Sequence, residues 1–304
     1  MKTVKQLKIT KGMPISKLLA EMREAGVMGS GRLGRASKIL KEMVQDKDCT
    51  VFMGVAGALV PGGMRQILVD MLRNKYVDCL VTTGATLTHD LVEALGYHHY
   101  QGSAHVSDEE LHKQGMDRMW DSYMPNNVYE KLEDFFEKNF AEFQKCATVK
   151  EFLWKIGSLI TDKNSILRAA YEEKIPLFSP GIADSGIGLM VWGRIEKGKK
   201  LPIGIFDDIS EIIKMSWDSK KSGIIYLGGG MPKNFIQQAL QVAKPAVYGV
   251  QITTDMPQWG GSSGAELREG ISWGKMEPKG NFIDVYCDAT IALPLLFASL
   301  LEEA

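Results

Sequence analysis

The chain has 304 residues, long enough to bury a large core, and α/β folds of this size often form one domain. Its 36 lysines and arginines nearly balance 37 aspartates and glutamates, and no basic run stands out, so we expect no nucleic-acid partner. No apolar run approaches the length that crosses a bilayer, and Met1 to Gln6 lead into polar sequence without a signal-peptide core. We therefore expect a cytoplasmic protein with no membrane partner.

Short apolar segments rich in β-branched or aromatic residues predict six strands. In chain order they are Thr50 to Val55, Cys79 to Thr83, Ile175 to Phe178, Gly223 to Leu227, Ala246 to Thr253 and Phe282 to Cys287. Helical patterns alternate with them at Ile15 to Ala25, Gly63 to Asn74, Leu91 to Leu95, Asn127 to Phe140, Ser165 to Lys174 and Lys233 to Ala243. This alternation predicts an α/β fold with a doubly wound, mostly parallel, Rossmann-like sheet flanked by helices. Ligands of such sheets bind at the carboxyl ends of the strands.

The stretch from Asp108 to Asp162 is largely helical in pattern and predicts a helical insertion packed on the sheet. No internal repeat and no linker rich in proline, glycine or serine brackets this stretch. We therefore predict a single domain over residues 1–304.

Residues Gly29 to Gly34 spell the G-x-G-x-x-G pattern of dinucleotide-binding loops. The pattern follows the helical segment Ile15 to Ala25, where the fingerprint requires a strand. We predict instead a loop that caps one helix and starts another near Ala36, with a phosphate contact as the alternative.

Glycine-rich loops follow three of the predicted strands and are better candidates for a cofactor site. They are Gly54 to Gly63, Thr82 to Ala85 and Gly228 to Gly230. Any one of them alone is more often a tight turn, but three at the strand ends of one sheet favour a nucleotide crevice.

All five histidines lie between His89 and His112. Adjacent His98 and His99 cannot easily share one face, and no carboxylate spacing completes a ligand set, so we predict no metal site. The four cysteines are far apart and form no C-x-x-C pair, which argues against a zinc knuckle and a disulfide framework.

The segment Gly260 to Lys275 carries Glu269, Trp273 and Lys275 close together in sequence. Imine chemistry needs a lysine in such surroundings, because partial desolvation lowers a lysine's pKa and an indole face attracts a cationic amine. From these residues alone, a surface lysine beside a buried tryptophan is the alternative.

The end of this segment, Glu269 to Lys275, followed by Val285 to Ala289 and Leu293 to Leu296, resembles the C-terminal signature of deoxyhypusine synthases. Further matches follow in family order at Val81 to Thr83, Gly115 to Arg118, Met124 to Tyr129, Phe178 to Pro180 with Asp184, and Leu227 to Gly230. The resemblance implies that bound NAD oxidises a secondary amine of spermidine, that the aminobutyl group passes to an enzyme lysine as an imine, and that a protein lysine then receives it. It also implies a hypusine-bearing translation factor as the acceptor, and a homotetramer with sites across subunit contacts.

Carried over by position, the resemblance makes Lys275 the imine-forming lysine, Trp273 the amine-stacking ring and Glu269 an amine-binding carboxylate. Asn234 and His89 stand at two further positions of substrate contact. The NAD contacts it implies are Gly57, Ala58, Leu59, Val60, Pro61, Thr83, Gly84, Ala85, Asp184, Gly229, Thr254, Asp255, Asp288 and Ala289.

Several positions depart from the family pattern. The polyamine-binding histidine is here Asn234, two acids are replaced by Leu189 and Ser262, and an acidic pair is replaced by Thr88 and His89. Because a polyamine carries several positive charges, these changes weaken or redirect its recognition. Two alternatives stay open: transfer to a small amine, as in homospermidine formation, and a catalytically silent relative that binds NAD or a polyamine.

Overall fold

Nine strands and twelve α-helices are present in residues 1–302, the part of the chain that the computed structural model describes. The strands are β1 (Cys49–Val55), β2 (Cys79–Thr82), β3 (Tyr100–Gln101), β4 (Met116–Met119), β5 (Ser122–Pro125), β6 (Leu177–Phe178), β7 (Lys221–Leu227), β8 (Ala246–Thr253) and β9 (Met276–Tyr286). The helices are α1 (Ile15–Ala25), α2 (Met28–Gln45), α3 (Arg65–Arg73), α4 (Gly84–Ala94), α5 (Asp108–Lys113), α6 (Val128–Phe143), α7 (Val149–Leu159), α8 (Ile166–Glu172), α9 (Gly186–Glu196), α10 (Asp207–Asp218), α11 (Gly230–Val242) and α12 (Ala289–Glu302). Two 3-10 turns, Pro257–Trp259 and Leu267–Ile271, precede β9.

A six-stranded parallel sheet has the order β6-β2-β1-β7-β8-β9. Strand β7 pairs in parallel with both β1 and β8, and β8 pairs in parallel with β9. All six strands predicted from the sequence are confirmed, although β9 begins at Met276, earlier than predicted, through a segment that is poor in apolar residues. The α/β fold with a mostly parallel sheet is therefore confirmed.

Helices cover both faces of the central strand β7. Gly223 and Tyr226 are three residues apart and so point to opposite faces. A Cβ atom on Gly223 would lie 2.6 Å from Cγ of Met43, which belongs to α2. On the other face, a Cβ atom on Gly54 would lie 2.9 Å from Tyr226 and 3.4 Å from Ile236 of α11. The sheet is thus wound on both sides, as the alternation of elements predicts.

The chain divides into two compact units, each discontinuous in sequence. The first unit comprises residues 1–56, 75–81 and 209 onward, and holds β1, β7, β8 and β9. The second comprises residues 57–74 and 82–208, and holds β3, β4 and β5. A single domain over residues 1–304 stays a prediction, and residues 303 and 304 lie outside the described part.

The predicted helical insertion, Asp108 to Asp162, contains strands as well as helices. It holds α5, α6 and α7, but also β4 and β5, which form an antiparallel three-stranded sheet in the order β3-β5-β4. Trp120, with φ +59°, lies in the turn between β4 and β5. Strands of four residues are too short to show a clear apolar alternation, so the sequence pattern missed them.

The loop predicted at Gly29 to Gly34 is wrong, because these residues lie inside α2. A Cβ atom on Gly34 would lie 2.3 Å from the backbone N of Arg23 in α1, and one on Gly31 would lie 2.6 Å from the backbone of Gly26. Two of the glycines therefore allow α2 to pack with its backbone against α1 and the turn after it.

A buried carboxylate fixes α4 in the second unit. Asp90 accepts hydrogen bonds from Nε of Arg65 and Oγ of Ser165, both at 2.7 Å, and from the backbone N–H groups of Ile166 and Leu167, both at 3.0 Å. These donors belong to α3 and to the start of α8. Because a buried charge is costly unless it is fully paired, this network holds the three helices together.

Candidate active site

A cavity of about 340 Å³ in the first unit brings together four residues predicted to handle the amine. They are Lys275, Trp273, Glu269 and Asn234. Lys275 immediately precedes β9, Glu269 belongs to the 3-10 turn before it, and Asn234 lies on α11. This volume suits a small ligand.

Lys275 and Trp273 form a lysine-on-indole pair. Nζ of Lys275 lies 4.8 Å from the centroid of the Trp273 ring, within the range of a cation–π interaction. Gly274 has φ +70°, and the carbonyl oxygen of Gly270 accepts the N–H groups of both Trp273 (3.2 Å) and Lys275 (2.8 Å). Trp273 is 56% exposed whereas Lys275 is half-buried, so the alternative of a surface lysine beside a buried tryptophan is wrong.

A second lysine, Lys233 on α11, lines the same cavity and is only 1% exposed. Its Nζ donates a hydrogen bond to the carbonyl oxygen of Ala265 at 2.5 Å. Burial and the nearby charge of Lys275 lower the pKa of Lys233 to about 8, although Asp284 and Glu269 act in the opposite direction. Lys233 is thus a second amine that changes its charge close to neutral pH.

The sequence analysis missed Lys233 and its neighbour Asp284. Lys233, Ile236 and Leu240 lie on one face of α11, and all three are buried. Their helical spacing in the sequence could have indicated that the lysine lies on the inner face. Burial raises the pKa of Asp284 to about 6, although the backbone N–H of Leu267 donates to its carboxylate at 3.0 Å. Nothing local in the sequence indicates this burial.

Replacing Lys233 with methionine is expected to stabilise the fold at pH 7 and to do so less at pH 10. The folded-state pKa of about 8 lies below the value of about 10.4 for an unfolded lysine, so the unfolded chain binds more protons between these values. The free energy of unfolding of the parent therefore rises with pH across this window, and the advantage of methionine, at most about 3 kcal/mol, shrinks. Urea unfolding of both proteins at pH 7 and pH 10 measures the difference.

The matched control is Lys279→Met, which removes an exposed lysine of β9 and should change the free energy of unfolding by less than about 0.5 kcal/mol at either pH. An effect of Lys233→Met that does not vary with pH would contradict the assigned pKa shift.

Five predicted NAD contacts of the first unit follow the carboxyl ends of its parallel strands. Gly229 follows β7, Thr254 and Asp255 follow β8, and Asp288 and Ala289 follow β9. Because these strands are parallel, their ends lie at one edge of the sheet. Contacts between the loops after β7 and β8 agree with this arrangement: a Cβ atom on Gly229 would lie 2.3 Å from Cα of Ser263, and Asp255 accepts a hydrogen bond from Oγ of Ser263. Asp288 accepts a hydrogen bond from the backbone N–H of Thr290 at 2.7 Å.

The other nine predicted NAD contacts belong to the second unit. Gly57 to Pro61 follow β1, Thr83 to Ala85 start α4, and Asp184 precedes α9. The side chains of Leu59 and Val60 are buried, so this loop can offer a ligand mainly its backbone. Thr83 caps α4, because its Oγ1 accepts the N–H of Thr86 at 3.2 Å.

The glycines of two of these loops leave space for a ligand. Gly57 has φ +92° and Gly230 has φ +59°, and a Cβ atom on either would meet no atom of the described residues within 4 Å. Backbone N–H groups in such open loops can approach a phosphate closely, so each loop by itself fits a phosphate group.

His89 lies on α4 of the second unit, whereas Asn234 lies on α11 of the first. Within residues 1–302 no group of three or more His, Cys, Asp or Glu side chains is arranged to hold a metal ion. None of the helices described for these residues is long and apolar enough to cross a membrane.

Comparison with known proteins gives one consistent result. A sequence profile described as deoxyhypusine synthase matches residues 17–300. A protein of Archaeoglobus fulgidus named probable deoxyhypusine synthase 1 is 43% identical over 295 residues, which cover 97% of this chain and 96% of that protein. A probable deoxyhypusine synthase of Methanosarcina thermophila is 39% identical over 299 residues, with coverage of 98% and 94%.

The fold also has a match among solved structures. The crystal structure of an assigned deoxyhypusine synthase from Entamoeba histolytica has a TM-score of 0.66 at 18% identity, and the match covers 95% of this chain and 93% of that one. The profile match and the two relatives, together with a lysine, an indole and a carboxylate gathered in one cavity, lead to one conclusion: this chain is a member of the deoxyhypusine synthase family.

Proposed function

We propose that this protein is an NAD-dependent transferase that moves an aminobutyl group from spermidine, or a related polyamine, to a protein lysine through an imine on Lys275. The observation that carries the proposal is the position of Lys275, whose Nζ lies over the Trp273 ring in a cavity that Glu269 also lines. Membership of the deoxyhypusine synthase family supports the same reaction class.

Lys275 acts as a covalent carrier in this proposal. When bound, NAD would supply hydride transfer from, and back to, the carbon next to the secondary amine. The neutral amine of Lys275 attacks the oxidised carbon, forms a new C–N bond and displaces the remaining diamine, so that the aminobutyl group stays on the enzyme as an imine. The acceptor lysine then displaces Lys275 in the same way and carries the group as an imine, which the hydride chemistry of bound NAD would reduce.

Trp273, Glu269 and Lys233 prepare the cavity for this exchange. The exposed ring of Trp273 attracts a cationic amine, and the carboxylate of Glu269 can pair with a second ammonium group of the polyamine. Lys233, with a pKa of about 8, can take up a proton from the attacking amine near neutral pH. Asn234 in this cavity can hydrogen-bond to an amine but cannot exchange a proton with it.

The residues proposed to hold NAD are those that the resemblance implies. The backbone around Gly57 and Gly229 would approach the phosphates, and carboxylates such as Asp255 and Asp288 can accept hydrogen bonds from ribose hydroxyls. The open space next to Gly57 and Gly230 supports this assignment.

Trp273→Leu is expected to weaken amine binding about tenfold. A cation–π interaction contributes about 1–2 kcal/mol at a partly desolvated site, and about 1.4 kcal/mol corresponds to a factor of ten. The half-saturating spermidine concentration for adduct formation measures the effect, and Trp273→Phe should give an intermediate value. As a matched control, Trp217→Leu removes a tryptophan of the first unit that is 55% exposed and does not line the cavity, and amine binding should not change. If both leucine variants had the same half-saturating spermidine concentration, Trp273 would have no role in amine binding.

The test of the proposed function is intact-protein mass spectrometry after incubation with NAD, spermidine and borohydride, followed by peptide mapping. We expect a mass increase of one aminobutyl group, mapped to Lys275. The same reaction is repeated with other diamines and polyamines, because Asn234, Leu189 and Ser262 replace residues that bind the polyamine in the family pattern. An adduct that forms only with another amine would show that this amine, and not spermidine, is the donor. The absence of an adduct with every amine would contradict the transferase proposal and favour a catalytically silent relative.

The acceptor is tested separately with the imine intermediate, which is formed from NAD and labelled spermidine and is not treated with borohydride. We propose a hypusine-bearing translation factor as the acceptor, and transfer of the label to such a protein is the expected result. Transfer only to a small amine such as putrescine would favour homospermidine-like activity instead.

We also propose that the protein assembles as a homotetramer. On α9, Leu189, Trp192 and Ile195 follow one another at three-residue spacing and are all exposed, which is the kind of apolar stripe that a subunit contact covers. Light scattering after size-exclusion chromatography gives the mass directly, and a monomer at micromolar concentration would contradict the assembly.

A further inference from the structure

Glu93, His99 and His89 form a continuous hydrogen-bonded chain in the second unit. Nδ1 of His99 lies 2.7 Å from Oε1 of Glu93, and Nε2 of His99 lies 2.9 Å from Nδ1 of His89. The backbone N–H of His99 also donates to Oε1 of Glu93 at 3.0 Å, which fixes the segment that carries the ring. The His99 side chain is only 5% exposed, so water hardly competes for its ring nitrogens. The adjacent His98 is 66% exposed, and its Nδ1 lies 3.3 Å from the second carboxylate oxygen of Glu93, Oε2.

The carboxylate at one end determines the direction of each hydrogen bond. Burial disfavours the charged form of Glu93, but hydrogen bonds from His99 and His98 outweigh burial and lower the pKa of Glu93 to about 2. An ionised carboxylate only accepts, so Nδ1 of His99 donates, and Nε2 of a neutral His99 ring then accepts. Nδ1 of His89 must be the donor to His99, which leaves Nε2 of His89 with a lone pair and no proton.

His89 is uncharged at neutral pH. Burial and the neighbouring His99 lower the pKa of His89 to about 4, and only Glu93 acts in the opposite direction. A neutral ring with a bare Nε2 can accept a hydrogen bond from a ligand but cannot donate one from that nitrogen. The hydrogen-bonded chain therefore leaves Nε2 of His89 able to accept a hydrogen bond and unable to donate one.

His89 also lies close to the loop that we propose for NAD. Ala85, His89 and Glu93 are spaced four residues apart on α4, so they share one face of the helix. Ala85 is exposed and belongs to the residues proposed to contact NAD. A substrate amine that reacts with bound NAD is expected near this same face.

We propose that Glu93 and His99 are positioning residues that hold His89 as a hydrogen-bond acceptor for an amine nitrogen of the substrate. The inference rests on the proposed function and deepens it, because it names the chemical group that His89 selects. An alkylamine can donate an N–H to the bare nitrogen, whereas a carboxylate or phosphate has no proton to donate at neutral pH and its oxygens are repelled. His89 gains a hydrogen bond in this interaction, and no proton is transferred.

The first arm of the test examines the free full-length protein and needs no activity. Long-range ¹H–¹⁵N NMR of the histidine rings at pH 7 reports which nitrogen carries the proton. We expect His89 to be protonated at Nδ1 and bare at Nε2. A proton on Nε2 of His89 would overturn the proposal, whatever the protein does with spermidine.

The second arm measures spermidine binding by calorimetry, with and without NAD, in the parent and in His99→Phe. Phenylalanine keeps an aromatic ring at this buried position but removes the acceptor for Nδ1–H of His89. Loss of one defined hydrogen bond to the amine should weaken binding about tenfold, since such a bond contributes about 1.5 kcal/mol. Glu93→Gln, which keeps the carbonyl oxygen and removes the charge, should weaken binding by about threefold and serves if the phenylalanine variant does not fold. His105→Gln changes an exposed histidine that is not hydrogen-bonded to Glu93, His99 or His89; it is the matched control and should bind as the parent does.

A pH profile separates positioning from a merely structural role. His99 is the smaller of two causes that lower the pKa of His89, since burial is the larger one and remains in the variant, so the pKa of His89, followed by the same NMR measurement, should be higher in His99→Phe than in the parent. In the parent the His89 ring should stay uncharged from pH 8 down to pH 5.5, because its pKa is about 4. Identical profiles for parent and variant would overturn the proposal. A missing adduct on Lys275 together with the expected NMR and binding results would instead reject the transferase proposal and leave the role of His89 intact.

Discussion

Lys275→Arg is expected to form no borohydride-trapped adduct and to lose transfer activity by at least about a thousandfold. Arginine keeps the positive charge and can still stack on Trp273, but its guanidinium group stays protonated and has no free amine to form an imine. The substitution therefore separates the charge of Lys275 from its nucleophilicity. Spermidine binding, measured by calorimetry, should change much less than transfer.

The control for this prediction is Lys279→Arg, which alters an exposed lysine four residues further along the chain, on β9. Its adduct yield and rate should equal those of the parent. Full transfer activity in Lys275→Arg would contradict the proposal that Lys275 carries the aminobutyl group. An adduct mapped to Lys233 in that variant would show that the second lysine of the cavity can form the imine.

Gly34→Ala is expected to destabilise the fold by about 1–2 kcal/mol in total. A Cβ atom at this position would lie 2.3 Å from the backbone N of Arg23 and 2.4 Å from the carbonyl oxygen of Leu19, both in α1. Neither backbone atom can move away without shifting the whole helix, and overpacking of this kind costs about 1–3 kcal/mol. The cost should exceed the gain of about 1 kcal/mol that alanine normally brings within a helix. Urea unfolding monitored by circular dichroism measures the change.

The matched control lies in the same helix and the same glycine pattern. Gly29 is exposed, and a Cβ atom on it would meet no atom of the described residues within 4 Å, so Gly29→Ala should be neutral or slightly stabilising. If both substitutions behaved alike, close packing of α2 on α1 would not be the reason for the glycine at position 34. Loss of NAD binding in Gly29→Ala, without a change in stability, would support the alternative that this glycine pattern contacts a phosphate.

Much of the site could be inferred from the sequence because its residues lie close together in the chain. Trp273 and Lys275 are two residues apart, and a tight turn at Gly274 is enough to bring the amine over the ring. The glycine-rich loops could be placed at strand ends because each follows a short apolar run. The expected roles of these residues nevertheless come from resemblance to the family and stay proposals until they are measured.

The burial of Lys233 and the chain from Glu93 to His89 could not be inferred in the same way. Lys233 becomes buried only when α11 packs on the sheet, and its lowered pKa results from that burial. His99 reaches both Glu93 and His89 because the chain turns back after α4 and directs this ring inward, while its neighbour His98 stays in solvent. Desolvation and hydrogen bonds between distant residues depend on three-dimensional packing, which a sequence pattern does not describe.

The sequence by itself determined the alternation of strands and helices, the parallel sheet and the position of the reactive segment, because each depends on local propensity, periodicity and short spacing. Only the tertiary structure decided what Gly29 to Gly34 do. The same glycine pattern suits a phosphate loop or a close contact between helices, and local sequence does not distinguish them. The backbone of α1 lies against Gly34 at a distance that no larger residue allows, and that contact assigns the glycine to packing.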